Sequence, residues 1–192
     1  MPPGMINAAA AAIRKTGGTL QMDVNFIPIA YPAVLPPADY QKSVNKGIVA
    51  LQDSIYEYIG RCPAGKIVVM GFSQGAQVVG GALAGSTFAG REPLRAQGRV
   101  AASVIYADPT YKDNRQPLDA GSGAFNNLDG TVPGDGSKYN NLNLWFGSRM
   151  RSYCEAGDQF CDRGTAANAG QIHNESPQRF ERDATAFLTS LV

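Results

Sequence analysis

Residues 66–79 read KIVVMGFSQGAQVV, and the fold turns on them. Ile67 to Met70 form an uninterrupted apolar run. Apolar residues without alternation predict a strand buried on both faces, as in a parallel sheet. Gly71, Phe72, Ser73, Gln74 and Gly75 follow as a G-x-S-x-G pattern. From Gln74 a small, apolar run predicts a helix to about Gly85. A serine on a sharp strand-to-helix turn stands with its Oγ above the carboxyl edge of the sheet, where a nucleophile must lie. The two glycines keep neighbouring backbone from clashing at the turn. The first N–H groups of the helix, with its positive dipole end, face any oxyanion formed beside Ser73. Alone the pattern is weak, because a loop serine is often a turn or cap residue. Its position between strand and helix gives it weight.

The surrounding chain reads as an alternation of the two element types. Upstream, Val44, Ile48, Leu51, Ile55 and Ile59 recur at spacings of three and four, the stripe of an amphipathic helix. Before it, Val24–Ala30 is short, apolar and β-branched, bounded by prolines, and predicts a strand. Residues 5–15 predict a helix stopped at Gly17 and Gly18. Downstream, Val100–Pro109 predicts a second two-sided strand. Residues 110–143 are rich in Gly, Asn and Asp and read as a long surface excursion. Residues 144–154 predict one more short strand ending near Cys154. Ser176 is expected to cap a last helix, with Pro177 at its first position. This order predicts an α/β fold, a three-layer α/β/α sandwich around a mainly parallel sheet of about four strands. Without a linker or an internal repeat, residues 1–192 are expected to form one domain.

Composition narrows the function. The 192 residues are 44% hydrophobic and 17% charged, with a net charge of +1. A chain this long buries roughly 70% of its unfolded surface and needs no metal to hold a core. The charge balance gives no case for nucleic acid or an anionic membrane. No apolar stretch approaches the roughly 20 residues that span a bilayer. The alanine run at 8–12 lacks a basic lead-in and does not read as a signal peptide.

A serine nucleophile needs a base matched to neutral pH, and His173 is the single histidine. The chain order Ser, acid, His places the third member between them. Asp108, Asp113, Asp135, Glu155, Asp158 and Asp162 are available. Asp158 lies between Cys154 and Cys161, which could close a small loop around it and give an orienting acid rigidity. Asp108, ending the second strand, is the alternative. A zinc site from three cysteines and one histidine is disfavoured, because C-x₆-C is wider than the usual C-x₂₋₄-C pairing.

These residues together resemble the cutinases and cutinase-like serine esterases. The likeness rests on YPA at Tyr31–Ala33, Tyr40 with Ser43, Val44 and Gly47, CPAGKIVVMGFSQGA ending at Ala76, and ADP at Ala107–Pro109. It continues through the C-x₃-D-x₂-C loop and a downstream histidine, and so covers nearly the whole chain. The resemblance implies a small α/β-hydrolase fold and ester hydrolysis through an acyl-enzyme. It implies Ser73 as nucleophile, His173 as base, Asp158 as orienting acid and the Gln74 backbone N–H as an oxyanion donor. It also implies a Cys154–Cys161 disulfide and a secreted protein.

We expect a monomer acting on an acyl ester, lipid or polyester substrate, with no cofactor and no metal. The family pattern departs at the N-terminus, where a leading strand would end in an R-G-[ST] loop giving the second oxyanion donor. A cysteine partner for Cys62 would sit in that same strand. The chain reads as a family member lacking it. Two other functions follow from that reading: an impaired binding protein, and a cell-wall (mycolyl-type) lipid esterase or acyltransferase.

Overall fold

The computed structural model of the chain describes residues 11–12, 23–35, 39–112, 120–121, 129–133 and 138–192. Three strands form one sheet: β1 (Ile67–Phe72), β2 (Val100–Tyr106) and β3 (Met150–Tyr153), in the order β1-β2-β3. Both pairings are parallel, with Phe72 opposite Tyr106 and Tyr106 opposite Tyr153. All three strands therefore end at one edge, and Ser73, Ala107 and Cys154 leave the sheet side by side. In open parallel sheets that carboxyl edge is where ligands bind.

Parallel strands need crossovers, and here the helices that follow β1 and β2 supply them, both on one face of the sheet. On one face α1 (Tyr40–Arg61) and α2 (Gln74–Ala84) pack together, joined by α3 (Lys138–Phe146). The predicted stripe of α1 is its buried side, with Val44, Ile48, Leu51 and Ile55 in the core and Ile59 packed against it. On the other face, Ala184 and Leu188 of α5 (Glu181–Thr189) cover Ala102, Val104, Tyr106 and Tyr153. Strand β2 serves both layers, with Ile105 in the first cluster and Val104 and Tyr106 in the second. The three-layer α/β/α order expected from the sequence is present.

Two local expectations change, one is narrowed and one lies outside the described residues. Val24–Ala30 carries no strand. Pro28 has no N–H to donate to a ladder, and Phe26 and Ile27 lie about half exposed, so the sheet has three strands among the described residues. Leu144, Trp145 and Phe146 are helical, and only Met150–Tyr153 are strand. Ser176 and Pro177 lie inside α4 (Ala169–Arg179) and cap nothing; the chain breaks at Phe180, after which α5 begins. The helix expected over residues 5–15 lies outside the described residues, apart from Ala11 and Ala12, which are helical.

Candidate active site

The turn after β1 is sharp. Ser73 has φ 54° and ψ −123°, a conformation L-residues rarely adopt. Its N–H donates to the Tyr106 carbonyl at 2.9 Å, which ties the turn to the next strand. Its own carbonyl accepts from the N–H groups of Ala76 (2.9 Å) and Gln77 (3.3 Å), which starts α2. The two glycines of the motif are unequal. A Cβ at Gly71 would lie 2.4 Å from the Gly75 carbonyl oxygen, so the turn closes only on glycine there. A Cβ at Gly75 would meet only the Tyr31 hydroxyl, at 3.8 Å, an ordinary contact.

Three side chains converge above this edge. The Ser73 Oγ lies 2.9 Å from His173 Nε2. His173 Nδ1 lies 2.9 Å and 3.1 Å from the two oxygens of Asp158. Asp158 is fully buried, and His173 is only 5% exposed. Ser73 is half-buried, which leaves it reachable from solvent. Asp158 is fixed from below: its Oδ1 accepts from the backbone N–H groups of Phe160 (2.7 Å) and Cys161 (2.9 Å). A Cys154–Cys161 disulfide closes the loop that presents it. Buried carboxylates need such donors, since an unsatisfied charge in a dry site is costly. His173 comes from the middle of α4. Four residues on, Pro177 has no N–H to give the His173 carbonyl.

The alternative acid is spoken for. Asp108 is fully buried, its Oδ2 2.6 Å from Lys138 Nζ and 3.2 Å from the Tyr139 hydroxyl. Its Oδ1 accepts from the Thr110 N–H and hydroxyl. Four donors, the buried counter-ion Lys138 among them, saturate it. Of the other acids, Glu155 faces Arg179 at 3.9 Å, and Asp162 accepts from the Gly157 N–H. Asp113 and Asp135 lie outside the described residues.

Gln74 opens α2, and the first N–H groups of a helix have no acceptor within it. Among the described residues no acceptor takes the Gln74 backbone N–H. Sequence reasoning used only that backbone group and missed the side chain. Gln74 Nε2 donates to the Val34 carbonyl at 2.7 Å, and its Oε1 accepts from the Ser43 hydroxyl at 3.1 Å. The Ser43 hydroxyl in turn takes the Val34 N–H at 3.2 Å. The Tyr31–Val34 segment is thereby strapped to the serine turn. The available signal was an amide directly after a nucleophile, followed through to an earlier buried serine. Lys138, which occupies Asp108, had no such signal.

Phe146 is 1% exposed and belongs to the core. Phe72 and Ile172 are half-buried beside Ser73 and His173 in the chain. Among the described residues no group of His, Cys, Asp or Glu is arranged to hold a metal ion. Cys62 is an exposed free thiol.

Comparison with known proteins gives the chain's family. Acetylxylan esterase 2 of Talaromyces purpureogenus is 26% identical over 161 residues, 80% of this chain and 64% of its own length. Cutinase 11 of Verticillium dahliae is 27% identical over 190 residues, 87% of this chain and 61% of its own. The chain thus spans less than two thirds of the length of these relatives. In fold, it superposes on the catalytic core domain of acetyl xylan esterase from Trichoderma reesei with a TM-score of 0.70 at 24% identity, covering 96% of this chain and 90% of that one. The family model described as Cutinase matches residues 1–192. A serine turn, a disulfide-closed acid loop and a histidine helix on a parallel sheet, with a family match over their full span, make this chain a member of the cutinase family.

Proposed function

We propose that this chain is a serine esterase that hydrolyses carboxylic acyl esters through Ser73, His173 and Asp158. The observation that carries the reading is the continuous relay from Ser73 Oγ to His173 Nε2 and from His173 Nδ1 to Asp158. Ser73 Oγ attacks the ester carbonyl while His173 Nε2 takes its proton. Asp158 accepts from Nδ1–H, which holds the tautomer that leaves Nε2 free to act as base, and it stabilises the imidazolium. The tetrahedral oxyanion is received by the Gln74 backbone N–H. On collapse, His173 gives the proton to the departing alcohol. Water then attacks the acyl-enzyme, again with His173 as base, and releases the acid. No step requires a cofactor.

The names of the relatives point to esters carried on polymers, acetylated xylan or cutin. A half-buried serine at an open sheet edge suits an ester presented by a chain too large to enter a deep cavity. The disulfide beside the acid fits an oxidising, extracellular working place. The test is hydrolysis of p-nitrophenyl butyrate and of acetylated xylan. Release of nitrophenol by the parent and its loss in Ser73→Ala support the reading. A Ser73→Ala chain as fast as the parent overturns it.

A further inference from the structure

His173 packs against two aromatic rings that no part of the relay requires. The Phe72 ring centroid is 4.9 Å from that of the imidazole, tilted by 34°. The Phe160 centroid is 4.7 Å away, nearly edge-on at 72°. The two rings come from the two elements that carry the other members of the site. Phe72 ends β1 and immediately precedes Ser73. Phe160 lies inside the disulfide loop and donates its backbone N–H to Asp158 at 2.7 Å. Its backbone therefore fixes the acid while its ring meets the base. Both rings are half-buried, so some of their surface faces the side from which substrate arrives.

Two consequences follow from elementary chemistry. First, an imidazole on a helix turns freely about its side-chain bonds unless neighbours occupy the space it would sweep. Here Nε2 must meet Ser73 while Nδ1 meets Asp158, and the two rings packed against the imidazole leave it little room to turn. Second, the imidazole becomes a cation when Ser73 gives up its proton. The face of an aromatic ring attracts a cation through its quadrupole, whereas the edge does not, so the Phe72 ring, tilted by only 34°, is the one placed to do this. The benefit arises only once charge has moved to His173, so it acts on the transition state and leaves the ground state alone.

We propose that Phe72 and Phe160 are positioning residues that hold the His173 ring in line during acyl transfer, with the Phe72 face also favouring the imidazolium. This rests on the esterase reading above. Phe160 is the cleaner of the two to vary, because Phe72 adjoins the strained turn. Phe160→Leu keeps an apolar filling and removes the ring. We expect kcat to fall roughly 3- to 30-fold as the imidazole loses its fixed orientation, with KM little changed. Phe160→Tyr restores a ring and recovers most of the lost rate. A second readout needs no substrate: the proton NMR line of the His173 Nδ1–H, shielded from water beside the rings, broadens by solvent exchange in Phe160→Leu and stays sharp in Phe160→Tyr. Parental kcat together with a sharp line in Phe160→Leu overturns the clamp. So does an equal fall in Phe160→Leu and Phe160→Tyr accompanied by a lowered Tm, which assigns the ring to folding alone. If the parent chain hydrolyses no ester, the esterase reading fails, while the NMR comparison still decides whether the clamp exists.

Discussion

Ser73 occupies a backbone conformation that disfavours any side chain, and it does so at the position that faces His173. Such strain, of order 1–3 kcal/mol, persists only where surrounding structure enforces it. The tie to Tyr106 and the glycine at 71 provide that enforcement. If His173 is the base and Asp158 its orienting acid, Asp158→Asn leaves the wrong tautomer, and kcat should fall by about 10⁴. The check is a steady-state assay on folded protein. Asp108→Asn should behave differently. It strands the Lys138 ammonium, whose side chain is only 4% exposed, without its counter-ion. The expected result is a loss of stability of about 3–5 kcal/mol, read as a shift in denaturant midpoint. His173 was legible because it is the single histidine. The cysteine-bracketed loop favoured Asp158 over Asp108 without closing the choice, because the group that occupies Asp108 lies thirty residues further on and meets it only after folding.

Among the elements, the serine turn and the acid loop do most of the placing. The pattern G-x-S-x-G reads as if both glycines were needed, yet only Gly71 meets backbone. Gly71→Ala should therefore prevent the turn from closing and yield little folded protein. Gly75→Ala, inside α2 without a positive φ, should leave Tm unchanged or raise helix stability by up to about 1 kcal/mol. Thermal melts of the two variants side by side check this. The acid loop depends on its cross-link: opening Cys154–Cys161 should remove about 2–3 kcal/mol by chain entropy and free Asp158 from its two backbone donors. Esterase rate should fall on reduction and return on reoxidation. Strands β1 and β2 could be read from their unbroken apolar runs, and the stripe of α1 from its helical periodicity. The segment 24–30 misled because β-branched residues between prolines satisfy the composition of a strand without the donors of one. Pro177 misled in the opposite sense, as a helix start that lies within a helix.

For the whole molecule, the sheet buries phenols as well as aliphatics. Tyr106 and Tyr153 stack with ring centroids 5.2 Å apart under α5. Burial first, and then nearby acids, hold both hydroxyls protonated well above the usual tyrosine range; Tyr153 also donates to Asp183 at 2.6 Å. Burial does the same for Tyr40, helped by Asp108. Because folded values are raised, the unfolded chain ionises first. Stability should be flat with respect to these groups below about pH 10 and fall as pH climbs beyond it. Denaturant midpoints from pH 8 to 11 check that, with tyrosinate absorbance rising together with unfolding. The relay itself draws on all three layers of this fold: a strand-to-helix turn, a loop after β3 and a helix that follows it. Its existence as a working unit is most directly tested by covalent capture. The chain is incubated with a fluorophosphonate, weighed intact and mapped by peptide mass. The account predicts one adduct, on Ser73, formed far more slowly in His173→Gln. No adduct, or one that persists undiminished in Ser73→Ala, would contradict it.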